Sequence, residues 1–441
     1  MIGMRSKFKL GDFLLLLSTL AVFVLSIILW IFIMTNDQYF NHISQTNNLT
    51  QQARGRRNNS IYDLYIPTSS YGFKEDQPYR LYDAKKNIPL EFIRELRGIK
   101  FKKSTQVSTT QFKYEQLLND ADYLQLTFPD EISLNLFTRK NLQNDNAHFR
   151  RIFISRSNRW LYLGNDKTYT VYRVALARAN FDKLRSYARG AHSKTPIKFV
   201  RLKNCYEVFY TQASRWRVYS YLTNTQTDSY FVSRLLGTAN VTARSSKKGW
   251  ITYTLNYYTK LRVPKANTKR HDFLYTRYEK NKAVTKNERL FASVNYVHKL
   301  GLSEQDLRFF DTNGDATSYT NYIEGIPVFL GQHTPQVKTM LTTEAMQVAF
   351  NNIDLQIPIP FDGQTRNLPA TDTVLQKLFA SGMKRSQIQR IIVAFRLTKD
   401  NSHGHLVNLI PTYYVKANNE WKSLAEWQRQ SLQPVAKTNN Q

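Results

Sequence analysis

Apolar positions along the chain form one unbroken run and many short periodic ones. The unbroken run is FLLLLSTLAVFVLSIILWIFIM, Phe13 to Met34, which contains no charged residue. At ~1.5 Å per residue a helix of this length reaches roughly 33 Å, close to the ~30 Å hydrocarbon core of a bilayer. The pattern therefore predicts a membrane-spanning helix. It is longer than the roughly 7–15 apolar residues of a secretory signal, and the following TNDQYF offers no small-residue cleavage site, so the helix is expected to be retained. Arg5, Lys7 and Lys9 precede it against Asp12 alone, whereas Asp37 follows it. This bias predicts a single-pass protein with a cytoplasmic N-terminus and the bulk of the chain outside the cell membrane.

Beyond the run, short helical and strand-like patterns mix. IPLEFIRELRG has Pro89 at its start, Gly98 at its end and Phe92, Ile93 and Leu96 on one face, a short helix. FDKLRSYARG, YFVSRLLG, ASVNYVHKLG and TVLQKLFASG also read as helices closed by glycine, the last burying Val374, Leu375, Leu378 and Phe379. YLQLTFPDEISLNLF reads as two extended segments around a turn at PDE. RWLYLG with YTVYRVAL, then GWITYTLNYYTKLRV, IIVAFRLT and LVNLIPTYYVKANNEW, read as strands, and TSYTNYIEGIPVF as a strand pair or one bulged strand. The basic stretch Lys265 to Arg289 is expected to be a linker or an exposed hairpin.

These elements predict an α+β protein: one N-terminal transmembrane helix, then about three extracytoplasmic domains built on antiparallel sheets with short helices. The expected divisions are a cytoplasmic stub (1–12), the transmembrane helix (13–34), a polar spacer (35–60), a first domain (61–150), a central α+β domain (151–289), a C-terminal α+β domain (290–430) and a flexible tail (431–441).

Charge adds a second expectation. Setting aside Arg5, Lys7, Lys9 and Asp12 leaves 59 basic and 32 acidic residues outside, a net charge of +27. Such a surface favours anionic neighbours, lipid headgroups or wall polymers among them, or simply keeps the protein soluble. The expected topology argues against nucleic acid. Cys205, the single cysteine, excludes an intramolecular disulfide and is expected to be a small buried residue in CYEVFY.

Candidate chemistry is sparse. Ser-x-x-Lys occurs at Ser245–Lys248 and Ser381–Lys384 without the companion motifs of acyl-transfer enzymes. DTNGD, Asp311 to Asp315, lacks the glycine and glutamate positions of an EF-hand loop and reads as a turn. His403 and His405 have no third ligand nearby. No catalytic residue, metal or cofactor is expected. In EGIPVF, Gly325 allows a bulge or a close backbone approach, and Pro327 predicts an edge or bulged position.

YTNYIEGIPVF resembles the G-x-P-V-F strand of the YycH family of regulatory proteins. The later segments keep a similar order: LPATDTVLQKLFASG, then IQRIIVAFRLT, then LIPTYYVKANNEWKSL. YEQLLNDADYLQLTFPDEISLNLF is similar to the family's first-domain segment around F-P-D-E. The stretch from Ser245 to Arg289 departs from the pattern. The resemblance implies a non-enzymatic regulator with three external domains, the last two related in fold. It implies action, with a partner of similar design, YycI, on the sensor histidine kinase WalK (YycG), which controls cell-wall metabolism. Contact through membrane helices is implied to be central.

Within the helix, Ser18, Thr19, Val22 and Ser26 form the expected partner-contact stripe, since Thr19 and Ser26 return to nearly the same face after seven residues. The alternative is that these hydroxyls bond their own helix backbone. The competing function is a basic wall-associated protein that binds anionic cell-surface polymers.

Overall fold

The structure is a computed structural model. It describes residues 18–27, 61–138, 147–238, 240–268, 270–281, 284–302, 306–331, 335–359, 363–400 and 405–432. Residues 18–27, in the middle of the apolar run, are helical and exposed. The two flanks of that run, the stub, the spacer, His403 and the tail beyond residue 432 lie outside the described residues. Among the described residues no helix is long and apolar enough to cross a membrane.

Local signals account for the helices. These are α1 (Ile61–Leu64), α2 (Ile88–Gly98), α3 (Gln111–Leu118), α4 (Asp182–Arg189), α5 (Asp228–Leu235), α6 (Lys286–Leu300), α7 (Thr371–Ala380) and α8 (Leu424–Leu432). The Asn87 side chain caps α2, Pro89 sits in its first turn, and Phe92, Ile93 and Leu96 are buried. Thr285 and Glu288 form a capping box on α6, and left-handed Gly301 closes it. In α7, Val374, Leu375 and Leu378 enter the core, but Phe379 turns outward, 39% exposed.

Among the described residues, nine strands form the first sheet: β1 (Ser69–Lys74), β2 (Gln77–Tyr82), β3 (Lys100–Ser108), β4 (Leu124–Ser133), β5 (His148–Ile154), β6 (Trp160–Gly164), β7 (Val171–Ala177), β8 (Ser193–Arg201) and β9 (Tyr206–Tyr210). Their spatial order is 3-7-6-5-4-1-2-8-9, antiparallel throughout. The expected division between residues 150 and 151 falls inside β5.

A second, larger sheet follows, with strands β11 (Tyr219–Thr225), β12 (Thr242–Ser245), β13 (Trp250–Asn256), β14 (Thr259–Pro264), β15 (Asp272–Tyr278), β16 (Leu307–Asn313), β17 (Ala316–Ile323), β18 (Ile326–Phe329), β19 (Val337–Leu341), β20 (Ala345–Asn351), β21 (Ile353–Ile359), β23 (Ile388–Lys399), β24 (Leu406–Ala417) and β25 (Glu420–Ser423). Its order is 12-13-14-15-20-19-17-18-23-24-11-21, with β16 on β17 and β25 on β24. β10 (Ser214–Arg217) and β22 (Thr365–Leu368) pair separately. One apolar core runs from α2 and β4 through α6 to β20; another joins β8 and β9 to α7, β23 and β24.

Several sequence expectations need correction. PDE is not a turn between two strands. Residues 124–133 form one strand, and between the pairs Thr127–Arg151 and Ile132–Phe149 four residues bulge opposite Arg150 alone. The stretch Lys265 to Arg289 is not a linker. It contains β15, an interior strand between β14 and β20, with Phe273 and Tyr275 buried, followed by the start of α6 at Lys286. The domain division expected between residues 289 and 290 falls inside that helix. Pro327 lies on an interior strand: β18 is short, and its ladder to β23 begins only at Val328, so the missing N–H breaks no pairing there.

Candidate functional site: the junction between the sheets

The FPDE bulge, the EGIPVF hairpin and the C-terminal strands converge where the two sheets meet. Three clamps join them. In the first, Asp130 is pushed out of β4 by the bulge, and its Oδ2 accepts from the backbone N–H and hydroxyl of Thr312 on β16, at 2.8 and 2.5 Å. Beside it, Lys286 of α6 donates to Glu131 at 3.0 Å.

The second clamp uses the turn between β17 and β18. Glu324 and Gly325 both take positive φ, 55° and 73°, the left-handed pair that a two-residue hairpin favours. The Glu324 carbonyl accepts from Arg80 Nη2 of β2 at 2.8 Å. A Cβ on Gly325 would stand 2.4 Å from the Thr68 carbonyl oxygen. The close approach expected of Gly325 is therefore an approach to the first sheet.

The third clamp is a chain of buried charges. Arg151 and Arg150 of β5 hold Asp166 at 2.8 and 3.0 Å. Arg150 also reaches both oxygens of Glu207 on β9 at 3.1 Å. Glu207 accepts from Arg390 of β23 at 2.6 Å, and Asp311 of β16 accepts from Lys416 of β24 at 2.6 Å. Arg390 lies 3.7 Å from Asp311 and links the two halves. Trp421 of β25 donates to Asp311 at 3.2 Å and stands near both Arg390 and Lys416. Against this chain lies a cavity of about 80 Å³, whose walls include Arg80, Arg150, Glu207, Tyr210, Gly325 and Arg390.

Electrostatics follow from burial set against pairing. Burial pushes the Asp166 carboxyl up, but Arg151 and Arg150 outweigh it and hold the group below the usual carboxylate range. Glu207 is likewise lowered, because Arg150 and Arg390 override burial. Asp130 is lowered by Lys286, Arg390 and its Thr312 bonds against the same opposition. At Asp311 burial wins over Lys416, and its carboxyl is raised. Burial and neighbouring Glu207 push the Cys205 thiol up to about 12.

Ser18, Thr19, Val22 and Ser26 all lie on the exposed helix 18–27, apart from this junction. Ser245 is exposed on β12, and Ser381 caps α7 by donating to the Leu378 carbonyl at 2.8 Å. Asp311 turns into the junction, and the tight turn expected within DTNGD is formed by Gly314–Asp315. Among the described residues no group of three His, Cys, Asp or Glu side chains is placed to hold a metal.

These features define an α+β scaffold whose buried polar groups lock two antiparallel-rich sheets together. A family model described as YycH protein, C-terminal domain, matches residues 211–431, half of the chain. The chain belongs to the YycH family. It is similar in fold to the crystal structure of YycH from Bacillus subtilis, with a TM-score of 0.67 and 14% identity, covering 83% of this chain and 97% of that one. No curated protein matches it.

Proposed function

We propose that the protein is a non-enzymatic, membrane-anchored regulator of the sensor histidine kinase WalK (YycG), acting together with a YycI-like partner. The observation that carries this reading is family membership over residues 211–431. The apolar run Phe13–Met34 supplies the membrane arm. In this reading the external sheets are a rigid body that positions the helix, and Ser18, Thr19, Val22 and Ser26 are its contact stripe. A coupling of ~1–3 kcal/mol between helix packing and the kinase equilibrium changes kinase output several-fold without any chemistry.

The test is a chain truncated after Ser60, inserted in the membrane and scored on kinase output. Retained regulation is expected. Loss of regulation by a well-expressed, inserted chain would move the mechanism to the external sheets. Replacing Thr19 and Ser26 with Leu is expected to weaken co-purification with the kinase or the partner, and unchanged co-purification would remove the stripe.

A further inference from the structure

The outer face of strands β12–β14 carries charge that the junction does not use. Residues 242–280 hold ten Lys or Arg and two Asp or Glu, a net charge of +8. Alternation along the strands sends Tyr253, Leu261, Val263, Phe273 and Tyr275 toward the core, so the intervening residues face away from it. Register sets Arg244 opposite Thr252 and Thr252 opposite Arg262, while Thr254 lies opposite Lys260. Arg244 and Arg262 are thus two strand spacings apart, about 10 Å, and Lys260 stands about 7 Å along β14 from Arg262. Trp250 lies in the same face, with the Arg262 and Arg270 guanidiniums 4.6 and 5.3 Å from its ring centroid.

Most cations at the junction are matched by carboxylates, but these are not. Among the described residues Arg244, Lys260, Arg262 and Arg270 have no ion-pair partner. Of the two acids in the segment, Glu279 is held by Arg277 at 3.1 Å, and Asp272 lies at the start of β15. Unpaired cations held on a rigid sheet, with a planar aromatic and hydroxyls between them, fit repeated phosphates on a flexible strand better than one compact ion. Thr252 and Thr254 lie between these cations, while Leu274 stands opposite Arg262 and the exposed Tyr257 and Tyr278 flank Lys260, so phosphatidylglycerol vesicles are the control that separates an anionic bilayer from a polymer.

We infer that this face binds a linear phosphodiester polyanion, engaged by Arg244, Lys260, Arg262 and Arg270, with the Trp250 ring holding the Arg262 and Arg270 guanidiniums in place. The inference does not depend on the kinase reading.

The test uses the full chain in phosphatidylcholine nanodiscs, titrated with poly(glycerol phosphate) at two salt concentrations. The triple variant Arg244→Ser, Lys260→Ser, Arg262→Ser is compared with Lys102→Ser, Lys103→Ser, Lys113→Ser, which removes the same charge from exposed positions elsewhere. The first is expected to lose at least tenfold in affinity and to flatten the salt dependence, and the second to change affinity less than twofold. Equal loss in both would show diffuse charge attraction and overturn the site. Unchanged affinity in the first variant would do the same. Capture by phosphatidylglycerol vesicles without capture of the polymer would overturn the assignment to a polymer.

Discussion

Glu207 and Arg390 lie 183 residues apart in the chain and meet at 2.6 Å. The same carboxylate holds Arg150 through both oxygens, so one side chain neutralises guanidiniums from both sheets. Replacing Glu207 with Gln leaves two buried cations under-compensated. A loss of about 3–5 kcal/mol is expected, the usual cost of breaking a buried pair from one side. Urea unfolding reads it as a lower midpoint. Removing Glu207 and Arg390 together is expected to cost less than the sum of the single losses.

Gly325→Ala tests the hairpin clamp. Its φ of 73° alone costs an L-residue roughly 1–2 kcal/mol, and the added methyl must also displace the Thr68 carbonyl, a backbone atom that yields little. Destabilisation above ~2 kcal/mol is expected, with earlier proteolysis between the sheets. A variant with unchanged stability would mean that the turn does not seat against β1.

Acid stability follows from the junction carboxylates. The groups of Asp166 and Glu207 titrate lower in the folded state than in the unfolded one. Their contribution is therefore fully present above the unfolded values of roughly 4 and is lost as pH falls through the folded values. Asp311, raised by burial, protonates earlier and partly offsets that loss. The urea midpoint is expected to decline slightly from pH 7 to about 5, where burial disfavours the charged form of His148, and to fall more steeply below about 4. Glu207→Gln flattens that fall.

Cys205 is buried and its thiol is pushed up to about 12. Only thiolate attacks alkylating reagents, so iodoacetamide at pH 8 is expected to label the native protein at least ~100-fold more slowly than the urea-unfolded chain. Comparable rates would place the thiol outside the junction.

Much of the secondary structure was legible because its signals are local. Asn87, Pro89 and the Phe92–Leu96 face announce α2, and the positive-φ pair Glu324–Gly325 sits where Gly325 was expected to allow a close backbone approach. The strand β15 was not legible. Its alternation is short, and the surrounding basic residues, which serve an exposed sheet face, resemble a linker in composition. The junction was missed for a different reason. Arg150 and Arg151, Glu207, Arg390 and Lys416 each interrupt an apolar strand, in HFRRIFI, YEVFY, IQRIIVAF and YYVKA. A charge inside a buried strand signals a partner, but register and sheet order are needed to say which one.

Strand β11 is closed on one side by β21 and on the other by β24, and Thr223 bonds a backbone carbonyl 182 residues later. Everything from α5 to β23 is therefore synthesised between the first and last strands of a single ladder. At the roughly 5–20 residues per second of synthesis, about 10–40 s separate the appearance of β11 from that of its final partner. Throughout that interval the nascent chain carries a bare edge of Tyr219, Tyr221 and Leu222, which makes birth, more than maturity, the time when this molecule needs protection from its neighbours.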